Sequence, residues 1–135
     1  IVMNGDLLTT LDYRELINYH LKNKASATIA ISRREIKMDF GVIETEEDGK
    51  LKSLVEKPSY FYNAGMGINI LNADSVKSIL EKDVYLDMPD FMMQLKEDGQ
   101  SVFCFSQECF WLDMGRPEDF EKATEVYEER KDEFN

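Results

Sequence analysis

Within its first 32 residues the chain passes from an apolar run, through a helical pattern, into a second apolar run. Ile1-Val2-Met3 leads into Asn4-Gly5-Asp6, which reads as a buried strand, covered on both faces, ending in a tight turn that presents a carboxylate. Asp12 is placed to cap a helix over Tyr13–Asn23, where Leu16, Ile17, His20 and Leu21 share one face. Ala27–Ser32 reads as a second buried strand. Strand, helix and strand in this order predict a parallel βαβ unit, because parallel neighbours need a long crossover. In an open α/β sheet, ligands bind just beyond the carboxyl ends of the strands. Asp6 is therefore set where a metal or polar substrate is met, although Asn4-Gly5-Asp6 is also readable as a plain turn.

The later pattern extends the same architecture. Ser32–Asp39 is charged and aperiodic and reads as loop. Phe40–Thr45 and Leu51–Glu56 flank Glu46-Glu47-Asp48-Gly49, a local hairpin signal, and the second arm stops at Lys57-Pro58 because proline cannot extend the ladder. Asn63–Leu71 is the next strand, and its two glycines imply close approach by another backbone or a ligand. Asn72 or Asp74 caps a helix through Leu80. Asp87-Met88-Pro89 opens another, with Phe91, Met92 and Leu95 on its apolar face and Gly99 at its end. Ser101–Phe105 and Cys109–Leu112 are strands. Pro117-Glu118-Asp119 starts the last helix, with Phe120, Ala123, Thr124 and Tyr127 on one stripe and a solvated Glu128–Glu133 end.

Charge and cysteine usage remove several classes of function. Net charge is −11, from 16 basic and 27 acidic residues, which opposes general binding to nucleic acid or anionic membranes. No apolar run is long enough to cross a bilayer. Cys104 and Cys109 lack the further Cys or His partners of a zinc site and read as reduced, near-core residues of a cytoplasmic protein. His20, the only histidine, reads as a packing residue.

Four segments carry chemistry-bearing residues: Asn4-Gly5-Asp6, Val55-Glu56-Lys57-Pro58, Asn63-Ala64-Gly65 and Trp111-Leu112-Asp113-Met114-Gly115. Their order and type resemble the sugar-1-phosphate nucleotidyltransferases, over Val2 to about Tyr127. Phe40-Gly41-Val42 and Arg116-Pro117-Glu118-Asp119-Phe120 add to the likeness. The resemblance implies a Rossmann-like three-layer α/β sandwich with a mixed, mostly parallel sheet, truncated in its N-terminal half. It implies a reaction in which a nucleoside triphosphate and a sugar 1-phosphate give an NDP-sugar and pyrophosphate by direct, Mg²⁺-assisted attack on the α-phosphorus. In that reading Asp6 and Asp113 ligate Mg²⁺, which favours a few carboxylates plus phosphate oxygens and water. Lys57 reaches the sugar phosphate, Glu56 accepts from sugar hydroxyls, Asn63, Gly41 and Gly65 border the sugar, and Trp111 walls the pocket and steadies Asp113.

The chain departs from the family pattern in one large respect. The glycine-rich loop with its Arg and the Pro-Lys pair, which bind the triphosphate, have no counterpart here. Residues 1–135 therefore read as the C-terminal, sugar-phosphate-binding part of one nucleotidyltransferase domain, without turnover on its own. Its Ile1–Asn4 edge is expected to be bare and to invite pairing with a second copy or another segment. Two other readings stay open: a metal-dependent GT-A-type glycosyltransferase, for which Asn4-Gly5-Asp6 lacks the usual Asp-x-Asp, and a non-catalytic sugar-phosphate-sensing module. Taken singly, Glu56-Lys57 also reads as a surface ion pair, Trp111 as core and Asp113-Met114-Gly115 as a turn.

Overall fold

A computed structural model describes residues 1–134, the side chain of Glu118 excepted. Its elements are β1 (Val2–Met3), β2 (Leu7–Thr9), α1 (Tyr13–Lys22), β3 (Ala27–Lys37), β4 (Val42–Thr45), β5 (Leu51–Val55), β6 (Ser59–Leu71), α2 (Ala73–Ile79), α3 (Met88–Glu97), β7 (Val102–Ser106), β8 (Trp111–Asp113) and α4 (Pro117–Glu129), with a 3₁₀ turn at Lys131–Glu133. The chain forms two compact units, one of Ile1–Ser32 with Gly65–Asn135 and one of Arg33–Ala64.

The first unit is a three-layer, Rossmann-like α/β sandwich. Its sheet runs β1-β6-β3-β7 and is mixed: β3 and β7 are parallel, with Ala27 opposite Val102, and β1 is antiparallel to β6, with Val2 opposite Asn69. Successive side chains on a strand point to opposite faces, and here each face has its own core. Ala30, Met66, Ile68 and Ile70 pack with Leu11 and with Leu16 of α1. Ala27 packs with Ile79 of α2 and with Phe91, Met92 and Leu95 of α3, joined by Ile29, Leu71 and Val102. Complete burial of one such aliphatic side chain contributes about 1.5–3 kcal/mol, so these two clusters dominate the unit's stability.

Local signals set the helices as the sequence predicts. The Asp12 side chain accepts from the Arg14 and Glu15 N–H groups (2.8 and 3.2 Å) at the start of α1. Asn72 caps α2, Asp87 caps α3, and Gly99 (φ +75°) follows α3 in the left-handed conformation that glycine tolerates. His20 is buried, with Nδ1 2.8 Å from Thr28 Oγ1. It is a packing residue whose pKa is lowered chiefly by burial.

The strands depart from expectation in several places. Ile1, Val2 and Met3 are exposed rather than covered on both faces, because β1 is the edge strand and pairs only with β6. Ser32–Lys37 is strand, not loop, and β6 begins at Ser59 instead of Asn63. These extensions are largely exposed, so burial imposes no apolar alternation on Arg33–Lys37 or on the consecutive aromatics Tyr60–Tyr62. Cys104 is exposed rather than near-core. Phe103 and Phe105 turn toward Tyr19 of α1 (6.3 and 5.3 Å between ring centroids), which leaves Cys104 on the other face, lining a cavity of about 560 Å³ with Met92 and Met93 of α3. On α4, Ala123 is buried but Phe120 is 62% exposed. Glu128–Glu133 is exposed apart from half-buried Arg130, and just past it Phe134 packs against Phe110 and Tyr127 (5.8 and 5.7 Å).

The second unit contains the distal part of β3, the first half of β6 and the β4–β5 hairpin. The hairpin register places Val42 opposite Val55 and Ile43 opposite Leu54. Its turn closes by a bond from the Glu46 N–H to the Lys50 carbonyl (2.8 Å), and Gly49 takes φ +85°. Arg33 lies over the Phe61 ring at 4.3 Å, and the Met38 N–H donates to the Pro58 carbonyl (3.0 Å).

Candidate active site

Strand pairing brings together the two acids from opposite ends of the chain. β2 and β8 run antiparallel, with Leu7 opposite Asp113, and the Met114 N–H donates to the Asp6 carbonyl (2.8 Å). Asp6 therefore immediately precedes β2 where Asp113 ends β8, and both side chains are exposed. Gly115 sits between them. Its N–H donates to Asp113 Oδ1 (2.9 Å). A Cβ built on it would lie 3.1 Å from Asp113 Oδ1 and 3.9 Å from Asp6 Oδ2. The two carboxylates thus converge on one point and are no further apart than the sum of those distances. A cleft of about 380 Å³ opens beside them, lined by Asp113, Gly115, Arg116 and Asp119.

The two acids offer oxygen donors only. Among the described residues no group of three or more His, Cys, Asp or Glu side chains is arranged to hold a metal ion. Two exposed carboxylates without nitrogen or sulfur partners do not suit zinc, which takes three or four protein ligands. They suit Mg²⁺, which keeps several waters and completes its octahedron with substrate phosphates.

Other residues singled out in the sequence fall into two groups. In the first unit, Trp111 packs against the Leu11–Leu16 core cluster and so anchors β8, the strand that ends in Asp113. Gly65 borders the cavity that Cys104 lines, and a Cβ added to it would meet nothing within 4 Å. Gly67 (φ +72°) is where the close approach occurs: the Asn4 N–H donates to its carbonyl (2.9 Å), and a Cβ there would lie 2.7 Å from Asn4 Nδ2. Asn4 and Gly115 are the positions whose roles were not assigned from sequence. Their signal was present, as an Asn before the first Asp and a Gly two residues after the second.

In the second unit, Gly41 and Glu56 come together, with Glu56 Oε2 2.9 Å from the place a Gly41 Cβ would occupy. Lys57 is exposed and holds φ +44°, a left-handed conformation uncommon for a residue with a side chain. Asn63 is exposed on β6. Cys109 is half-buried, and burial pushes its thiol pKa up, away from the reactive thiolate.

Residues 1–130 match the nucleotidyl transferase family. The chain belongs to that family. This nucleotidyl transferase chain is 32% identical to a mannose-1-phosphate guanyltransferase of Yarrowia lipolytica over 129 residues, covering 93% of this chain and 35% of that protein. It is 29% identical to a glucose-1-phosphate adenylyltransferase of Clostridium novyi, covering 91% and 35%. The fold is also that of HddC from Yersinia pseudotuberculosis, at a TM-score of 0.58 and 24% identity over 93% of this chain and 53% of that one. The chain spans about a third of the length of the relatives it matches. No helix among the described residues is long and apolar enough to cross a membrane.

Proposed function

We propose that these residues form the sugar-phosphate side of a nucleotidyltransferase site, which in the complete protein joins a nucleoside triphosphate to a sugar 1-phosphate and releases pyrophosphate. The observation that carries this reading is the convergence of Asp6 and Asp113 beside Gly115. Together the two carboxylates would hold one Mg²⁺, whose chemistry is to neutralise charge on the phosphates of the triphosphate. The sugar phosphate oxygen attacks the α-phosphorus directly, so the protein's contribution is positioning and charge. Lys57 meets the phosphate of the sugar 1-phosphate as a point charge. Its left-handed backbone supports a functional role, since strained residues cluster at ligand sites. Glu56 accepts hydrogen bonds from sugar hydroxyls, Gly41 and Gly65 leave main chain accessible to the sugar ring, and Asn63 borders it. Trp111 holds the strand that carries Asp113.

The 135 residues hold no glycine-rich triphosphate loop, so by themselves they bind without turnover. We place the complete enzyme in the cytoplasm, and a second copy or a further segment of the protein over the Ile1–Asn4 edge. Calorimetric titration with mannose 1-phosphate and glucose 1-phosphate, with and without Mg²⁺, tests the reading. Binding of at least one sugar phosphate is expected, weakened about 10-fold or more by Lys57→Ala, the scale of losing a hydrogen bond to a charged group. A pyrophosphate-release assay on the same chain is expected to stay at the metal-free background. Failure to bind either sugar phosphate would sink the proposal.

A further inference from the structure

We infer that Gly115 is a positioning residue for Asp113, and that its lack of a side chain is what makes it one. The inference rests on the two-carboxylate reading above.

Glycine is often required because φ is positive, as at Gly49, Gly67 and Gly99; Gly115 is not among these. Its backbone therefore does not exclude alanine. Gly115 is also exposed, so alanine would not overfill a core. What opposes a side chain at this position is local to the two acids. The Gly115 N–H holds Asp113 Oδ1 at 2.9 Å, and a Cβ would stand 3.1 Å from that same oxygen, with Asp6 Oδ2 at 3.9 Å. A carbon that close to a carboxylate oxygen is tighter than most Cβ contacts, so the Asp113 carboxylate must give by a few tenths of an ångström.

The turn has little freedom to absorb the shift. Met114, the intervening residue, donates its N–H to the Asp6 carbonyl (2.8 Å), and Leu7 is paired with Asp113 in the strand ladder. One short turn thus fixes Asp6 by its backbone and Asp113 by its side chain. The amide of Gly115 engages Oδ1 and leaves Oδ2 available to a cation. Outer groups that orient a ligating carboxylate typically change metal affinity 10–100-fold when altered.

The test uses Mn²⁺ as the probe, titrated into the protein and followed by the electron paramagnetic resonance signal of the free ion. Saturable binding by the wild type is expected, lost in Asp6→Asn and in Asp113→Asn. Gly115→Ala is expected to weaken it about 10-fold while leaving the metal-free thermal midpoint unchanged. Gly5→Ala adds the same methyl beside the other acid, where a Cβ meets nothing within 4 Å, and is expected to retain wild-type affinity. Wild-type affinity in Gly115→Ala overturns this inference alone. A lowered metal-free midpoint in that variant also overturns it, because the glycine would then be structural. Absence of Mn²⁺ binding that depends on Asp6 and Asp113 overturns the two-carboxylate reading and the inference with it.

Discussion

The two units of the chain are built on different physical terms. Every buried hydrophobic side chain among the described residues belongs to the first unit, and all but Ala25 and Ala123 fall in clusters centred on Leu16, Met66 and Ile68 and on Phe91 and Leu95. The second unit, Arg33–Ala64, has none, and Ile36, Phe40, Ile43, Leu51, Leu54 and Phe61 are among its exposed apolar residues. One unit is held by area removed from water; the other by a strand ladder, cross-strand pairs and contacts such as Arg33 over the Phe61 ring. The candidate site residues divide along the same line. The Asp6 and Asp113 carboxylates, proposed to share a cation, stand on the packed unit. Lys57 and Glu56, proposed to meet the phosphate and the hydroxyls of the sugar 1-phosphate, stand on the unit that is open to solvent. Sites on rigid elements are positioned more accurately than sites on loosely packed ones, and the division follows that logic.

The sharpest way to break the comparison is to shorten one leucine in each unit. Leu16→Ala or Leu95→Ala is expected to reduce the free energy of unfolding by about 2–5 kcal/mol, the transfer loss plus a cavity. Leu54→Ala, exposed on the hairpin, is expected to cost under ~0.5 kcal/mol. Urea unfolding of the three variants decides it, and equal losses would mean the hairpin leucine is buried in solution.

A smaller effect sharpens the functional side of the contrast. Lys57 pays for its φ of +44° in backbone strain, which glycine would relieve. Lys57→Gly is expected to stabilise the hairpin unit by about 1 kcal/mol while weakening sugar 1-phosphate binding. Amide exchange along β4 and β5 measures the first effect and calorimetry the second. Faster exchange in the variant would show that the strained backbone is not relieved by glycine and remove the argument from Lys57's conformation.

The same contrast explains what could be read in the sequence. Where burial dictates pattern, the reading was close: α1 starts at its Asp12 cap, α3 presents Phe91, Met92 and Leu95, and β3 begins at Ala27. Where burial is absent the pattern was silent. Arg33-Arg34-Glu35 carries no apolar alternation, yet the ladder extends β3 to Lys37, because strand preference depends on neighbours more than on intrinsic propensity. Val2 and Met3 misled in the opposite sense, being apolar but at a sheet edge. For the site, Asp6 and Asp113 were legible as residue types at strand ends. Their proximity was not, since it depends on the β2–β8 register, which no local spacing encodes; only the family resemblance proposed it. Gly115 escaped because its constraint is spatial, set by two carboxylates, and not conformational.

The smallest effect concerns pH and is confined to the packed unit. His20 is buried against Thr28, and burial lowers its pKa below the ordinary imidazole value of 6.5. The neutral ring is thus favoured in the folded state, and the unfolded chain binds the proton more readily. Stability then rises with pH wherever the unfolded state holds the extra proton. The His20 contribution is complete above pH 6.5 and is lost progressively as pH falls from there toward the lowered native pKa. At pH 6 the loss is expected to stay under about 1 kcal/mol, since a single proton is involved. Carboxylates titrate in the same chain, so the measurement is a difference: urea unfolding of wild type and of His20→Gln between about pH 7.5 and 5.5, a window that brackets the imidazole range. The wild type should lose more stability than the variant across that window, with the added loss appearing in amides of α1 and β3 rather than of the β4–β5 hairpin. Parallel pH profiles for the two proteins would show that His20 charges as easily folded as unfolded, and that its pocket is wetter than its burial implies.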